Sequence, residues 1–280
     1  MAQPQLEAIR VHPIKSVDGV SVTEAEIVEN GGLSWDRRYA IVEQSPETTT
    51  GTGPGGRYVN GKRERRVHDL EATYDLDRET VTVGERDGDT RHTYHLELDR
   101  DGLTSWLSDF FGYPVDLVRD DEGGFPDDTD ASGPTVISTG TLEDVASWYD
   151  GIDAGEMCRR LRPNLVLDAP AFWEDHLYEA PGRVIPFEIG SAMLYGVNPC
   201  QRCVVPTRDP DTGEPTNGFR ETFVERRAAT LPEWASKDWF DHYFRLMVNT
   251  RVPDASWGAT LAVGDPVTVG ESTIDPEPAD

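Results

Sequence analysis

Residues Asn198–Glu214 read NPCQRCVVPTRDPDTGE and hold two of the chain's three cysteines in a C-x-x-C, with Arg202 between them. A thioredoxin-like pair would sit at the start of a helix in a βαβ unit. Here Pro206, Pro210 and Pro215 follow too closely for a helix, so the segment reads as an irregular loop. A structural zinc site needs a full tetrahedral ligand set. Cys158 and the scattered histidines supply no second C-x-x-C or H-x3-H to complete one. Asp209 and Asp211 lack the ligand spacing and closing Glu of a calcium loop and read as a tight turn. Two readings stay open: a soft thiolate beside a fixed cation, suited to a soft metal or to sulfur chemistry, or a structural pair of cysteines.

Outward from the loop, the chain divides in two. Leu6–Val11 and Val20–Val28 alternate apolar and polar residues, as half-buried strands do, and Tyr39–Val42 continues the pattern. Residues 44–66 form a long Thr- and Gly-rich loop that ends in basic residues. Ala72–Leu76, Thr80–Val83 and Thr93–Leu98 read as hairpin strands. A helix is expected from about Asp101, with Leu103, Trp106, Leu107, Phe110 and Phe111 on one face and Gly112 and Pro114 ending it. The acidic stretch Asp120–Gly133 has no apolar period and marks a linker. The domains are therefore set at 1–119 and 134–272. In the second half, Thr135–Ile137, Leu165–Leu167 and Ala192–Val197 read as strands, and a helix opens at Thr141, whose Thr-x-x-Asp144 spacing suits an N-cap. A further helical stretch is expected around Lys237–Met247, before a last strand pair, Thr260–Val263 and Pro266–Val269. Short strands outnumber helices, which favours a β-rich α+β fold centred on a β-barrel.

Composition narrows the class. Lys and Arg number 26 against 52 Asp and Glu, a formal charge of −26, and Lys15, Lys62 and Lys237 are the only lysines. Acidic excess spread over the whole chain, with Lys nearly replaced by Arg, points to adaptation to high salt, as in a halophile. Nucleic acid and anionic membranes both require a basic face and are excluded as partners. The N-terminus has no apolar core of signal-peptide length, and no run approaches a membrane span. A cytoplasmic location is the expectation.

One motif is a near miss. Gly56–Arg63, GRYVNGKR, fits G-x4-G-K but carries Arg63 where a phosphate loop needs Ser or Thr for magnesium. Nucleotide hydrolysis is rejected. The cluster Arg57, Lys62, Arg63, Arg65 and Arg66 remains, either as a solvated basic loop paired with nearby carboxylates or as one side of a cleft that attracts an anion.

Several longer motifs carry a resemblance. VHPIKS (Val11–Ser16) and GGLSWDRRYAIV (Gly31–Val42) are similar to the opening of the β-barrel domain that precedes many MOSC domains. TVISTGTLEDVASW (Thr135–Trp148), RRLRPNLVLDAPAFWEDHL (Arg159–Leu177), the cysteine loop and the closing GATLAVGDPVTV resemble the MOSC domain itself. They occur in the family's order from Val11 to Val269. The chain thus resembles the family that includes molybdenum-cofactor sulfurase C-terminal domains and amidoxime-reducing components.

That resemblance implies a molybdenum–molybdopterin cofactor and two-electron reduction of N-hydroxylated small molecules. It implies Cys203 as metal ligand and catalytic thiolate, Arg202 favouring its ionised form, and Asp209 ordering water or relaying protons near the metal. Lys15, Ser16, Arg37, Ser138, Arg162 and Asn164 are implied as cofactor contacts. Electrons would come from a separate donor, a ferredoxin or a flavin reductase. An alternative within the family is a persulfide carrier on Cys203 supplied by a cysteine desulfurase, with pyridoxal phosphate only in that partner. A non-catalytic module that delivers the cofactor is the third. Two departures stand out: His12 replaces the expected Tyr, and Pro206 precedes Thr207 where the reductase branch has paired threonines.

Overall fold

The computed structural model describes residues 3–44 and 57–277. Its largest sheet runs, in spatial order, through Val267–Val269, Arg183–Ile189, Ala192–Gln201, Arg245–Arg251, Val136–Ser138, Leu165–Asp168, Gln5–Val11 and Val20–Val22. Neighbours along that path are antiparallel, except Val136–Ser138 with Leu165–Asp168. A parallel pair needs a crossover, supplied here by helices Thr139–Ala146 and Ala154–Leu161. The β-rich α+β fold expected from the sequence is the fold observed.

The first strand belongs to this sheet. Gln5–Val11 lies between Leu165–Asp168 and Val20–Val22, and its register shifts between Leu6 and Ala8. An extra residue in a strand resets which face its side chains meet, so Leu6 and Ile9 are both buried despite their odd spacing. They join Leu165, Phe187, Leu194 and Val248 in one core. A second core gathers Tyr39, Ile41, Val81, Leu103, Leu107 and Leu117. Around it lie the pair Tyr39–Glu43 with Val115–Arg119, the three-stranded sheet Leu70–Asp75, Thr80–Glu85 and Arg91–His95, and helix Arg100–Phe111. That helix buries Leu103, Leu107, Phe110 and Phe111 of the expected stripe, leaves Trp106 half-buried, and stops at Gly112, whose left-handed φ of +80° lets its N–H reach Ser108 O at 2.9 Å.

Several expectations need correction. Lys237–Met247 is not helical: it is irregular up to Phe244, and Arg245–Arg251 is a strand. Leu246 through Thr250 are all buried, as suits a strand covered on both faces, and a run of that kind imitates helical periodicity. The helix lies instead at Phe219–Thr230, where Phe219, Phe223 and Arg227 form the buried stripe. Ser138, not Thr141, caps the helix that follows it: its Oγ accepts Thr141 N–H at 3.2 Å. Cys158 is buried within helix Ala154–Leu161, which Asp153 caps. Of the 44–66 loop, residues 45–56 lie outside the described residues. Among the described residues no helix is long and apolar enough to cross a membrane.

Candidate functional site

A cavity of about 910 Å³ opens where the first strand's turn, the 58–68 segment, the 123–134 segment, the end of helix Ala154–Leu161 and the cysteine loop meet. Eleven of the chain's 26 basic residues line it, against five of its 52 acidic ones. The protein as a whole is strongly acidic, so this cavity is a local reversal of sign whose field favours an anion.

Backbone geometry fixes several of the lining side chains. Ser16, Arg37, Arg162 and Met247 have φ of +72°, +51°, +55° and +70°. Side chains avoid that left-handed region unless their surroundings impose it. Arg162 ends helix Ala154–Leu161 with its N–H on Cys158 O at 2.8 Å, while its Nη2 donates to Val17 O at 2.7 Å. Arg37 N–H binds His12 O at 2.8 Å.

Lys15 and Arg37 share one carboxylate. Lys15 Nζ donates to Asp127 Oδ1 at 2.7 Å and to the carbonyls of Phe125 and Pro126 at 2.8 and 3.0 Å. Arg37 pairs with Asp36 and reaches Asp127 Oδ2 at 3.2 Å. Burial would raise the Asp127 carboxyl, but Arg37 and Lys15 outweigh it and hold the group well below the usual range. For Lys15 burial wins, and its ammonium is pulled below the ordinary value despite Asp127. The 123–134 segment, acidic in sequence, thus forms a wall of the cavity and neutralises part of its charge.

His12 went unselected by motif, its only signal being its departure from Tyr. It is 3% exposed, and neither ring nitrogen has a hydrogen-bond partner. Burial, then Arg162, Arg37 and Arg10, push its pKa well down, so a neutral imidazole lines this cationic pocket. Gly19 makes room for it, since a Cβ there would lie 2.5 Å from His12 Nδ1.

Cys200 and Cys203 are free thiols, and both line the cavity. Arg202 is oriented otherwise than expected: its Nη1 donates to Cys200 Sγ at 3.2 Å and to Met247 Sδ at 3.6 Å, and its Nη2 to Leu161 O at 2.8 Å. The guanidinium therefore serves Cys200 and ties the cysteine loop to the end of helix Ala154–Leu161.

Lys15, Ser16, Arg37, Arg162, Asn164, Arg202 and Cys203 come together on the cavity wall. Asn164 is 2% exposed, with its amide committed to Thr135 and to Arg10 O, so it ties strand ends together. Ser138 and Asp209 are not brought to the wall. Ser138 is fully buried, its Oγ against Glu174 Oε2 at 2.8 Å. Asp209 Oδ1 accepts the N–H groups of Asp211 and Thr212, both at 2.9 Å, which is the tight turn of the simpler reading.

Among the described residues no three His, Cys, Asp or Glu side chains converge as metal ligands. A metal bound through Cys203 would need most of its ligands from an external chelate. The donor set suits one that is anionic and rich in hydrogen-bonding edges. Besides His12, the Nε atoms of Arg10, Arg202, Arg208 and Arg245 are buried without partners, and all these residues line the cavity.

The family model described as MOSC N-terminal beta barrel domain matches residues 3–114, and the MOSC domain model matches residues 135–268. No curated protein sequence matches the chain significantly. Among solved structures, the YuaD protein from Bacillus subtilis is similar over 98% of each chain, at 10% identity and a TM-score of 0.41.

Proposed function

The chain belongs to the MOSC family, with the N-terminal barrel domain included, and from that premise we propose that it is a molybdenum–pterin oxidoreductase that reduces N-hydroxylated substrates. MOSC domains are associated with molybdopterin binding and with enzymes related to that cofactor. The observation that carries the reading is a cation-lined cavity with a free thiol, Cys203, in its wall.

In this reading Cys203 supplies the soft ligand. Lys15, Ser16, Arg37 and Arg162 hold the cofactor's phosphate, their positions fixed by the left-handed turns and by Asp127. His12 has one donor and one acceptor nitrogen free for a polar ring edge. Ser138 and Asp209 act at a distance, one capping a helix and the other shaping the turn after the cysteines. When bound, the cofactor supplies a two-electron centre able to remove oxygen from an N–O bond. Its reducing equivalents come from a separate ferredoxin or flavin reductase.

The test is metal and pterin analysis of protein from a host able to make the cofactor, with and without Cys203→Ala. Near-stoichiometric molybdenum that is lost in the variant supports the reading. A second reading, persulfide transfer, is favoured by the same free, cavity-lining thiol. A labile sulfur that disappears with Cys203, in protein without molybdenum, would replace the first reading with the second.

A further inference from the structure

The cofactor reading leaves two cavity-lining asparagines unused. Asn198 on strand Ala192–Gln201 and Asn249 on strand Arg245–Arg251 are register partners, and Asn249 Nδ2 donates to Asn198 Oδ1 at 3.0 Å. The same Nδ2 donates to Asp128 Oδ2 at 3.1 Å. Asp128 is held in turn, its Oδ1 accepting the N–H groups of Asp130 and Ala131 at 3.0 and 3.2 Å.

This series of contacts sets which way both amides face. A carboxylate oxygen accepts and does not donate, so Asp128 takes the NH2 end of Asn249. Both hydrogens of that NH2 are then spent, one on Asp128 and one on Asn198 Oδ1. Asn198 meets its neighbour with its oxygen, which leaves its own NH2 unused. What remains is one acceptor, Asn249 Oδ1, and one donor group, Asn198 Nδ2. Neither has a partner among the described residues, and no hydrogen bond joins them to each other. The other amides of the cavity differ. Asn60 spends Nδ2 on Tyr58 O and Oδ1 on Lys62 N–H, Asn164 is committed at both ends, and Gln201 is exposed.

Asn249 is 5% exposed, and an idle polar group so far from solvent is unfavourable until something bonds it. A ligand that completes the pair needs a donor and an acceptor side by side, its N–H going to Asn249 Oδ1 and its carbonyl accepting from Asn198 Nδ2. That is the edge of a primary amide or a lactam. A carboxylate has no N–H to give, and Asp128, in contact with Asn249, opposes a second negative charge there. Cys200 and Met247 lie two residues away on the same two strands, line the same cavity, and are bridged by Arg202 Nη1 at 3.2 and 3.6 Å. Two strand residues span roughly 7 Å, so a ligand gripped by the amides lies beside the cysteine loop. We propose that Asn198 and Asn249 form a recognition site for a neutral amide edge, supplied by the ring of a bound pterin or by an amide-bearing substrate. The site stands on geometry, whereas its two candidate ligands rest on the oxidoreductase reading above.

The test is calorimetric titration of the protein as purified with two pairs of probes. Pterin is compared with 3-methylpterin, whose lactam N–H is blocked, and benzamide with N,N-dimethylbenzamide. The unblocked member of one pair is expected to bind about tenfold more tightly, the worth of a good hydrogen bond. Asn198→Asp should remove most of that preference. It keeps an oxygen to accept from Asn249 and loses only the free donor, so its thermal midpoint should stay close to wild type. A preference within the pterin pair assigns the site to the cofactor, and one within the benzamide pair alone assigns it to the substrate. Equal binding within both pairs in the wild-type protein, or a preference that survives Asn198→Asp, would overturn the proposal. Molybdenum content of protein from a host able to make the cofactor is a separate readout, so its absence would count against the functional reading without altering the probe comparison.

Discussion

Arg202 Nη1 lies 3.2 Å from the sulfur of Cys200, one of the two thiols it separates in sequence. The two cysteines therefore have different environments: Cys200 is held by a charged donor, and Cys203 has no such contact among the described residues. The thiol without an internal donor is the one available to an external partner. Cys203→Ser is expected to lower molybdenum content at least tenfold, and Cys200→Ser to leave it within twofold, as read by elemental analysis of matched preparations. The reverse pattern would transfer the ligand role to Cys200.

The buried pair Arg227–Asp175 gives a stability prediction. Arg227 is fully buried on the Phe219–Thr230 helix, and its Nη2 meets Asp175 Oδ1 at 2.6 Å. Tyr178 Oη donates to the same oxygen at 3.1 Å. Removing one partner of such a pair strands a charge in the core, at a cost of about 3–5 kcal/mol. Arg227→Ala should lose that much in urea unfolding. Arg227→Met combined with Asp175→Asn should recover much of it, because no charge then remains buried.

How much of this was legible in the sequence follows from which signals are local. Helix Arg100–Phe111 was readable because its apolar stripe and terminal glycine lie within a dozen residues of chain. Helix Phe219–Thr230 was not, because its stripe runs Phe219, Phe223, Arg227, and the arginine reads as surface until Asp175, 52 residues away, is known to neutralise it. The basic cluster after residue 56 shows the same limit. Arg65 and Arg66 pair with Glu214 and Glu85, which is the solvated-loop reading, while Lys62 alone of the five lines the cavity. Sequence motifs located Lys15, Arg37, Arg162 and Cys203 on one wall, yet they placed Ser138 there too. Its hydroxyl is drawn inward by Glu174, a partner 36 residues distant.

Gly196 is required by a close approach. It sits in strand Ala192–Gln201, two residues before Asn198 and the start of the cysteine loop, and a Cβ there would lie 1.8 Å from Leu177 O. Backbone cannot yield as a flexible side chain can. Gly196→Ala should therefore cost about 3 kcal/mol or more, at the upper end of overpacking penalties, and should disturb the cysteine loop as well. Denaturant midpoints and the accessibility of Cys200 and Cys203 to alkylation check both consequences. A variant with unchanged stability would mean that the helical turn Trp173–Leu177 moves away from this strand more readily than its packing implies.

Glu174 gives the pH dependence. It is 1% exposed, and its Oε2 accepts from Ser138 Oγ at 2.8 Å and Thr141 Oγ1 at 2.9 Å, while Oε1 has no partner. Burial, then the neighbouring Asp175, raise its pKa to about 7 against the opposing hydrogen bonds. The folded state then holds the proton more tightly than the unfolded chain. The group's contribution is full below the ordinary glutamate value, roughly 4.3, and is lost as pH rises through about 7. Glu174→Gln is uncharged at every pH and keeps an oxygen to accept from Ser138 and Thr141. Relative to wild type, the variant should therefore gain stability between pH 5 and pH 8, by about 1–3 kcal/mol. Urea unfolding of both proteins at the two pH values isolates Glu174 together with its coupling to Asp175, because carboxylates away from this pair titrate alike in both. A wild-type-to-variant difference that stays constant across that interval would show that Glu174 is ionised in the folded protein throughout, with Ser138 and Thr141 sufficient to hold its charge.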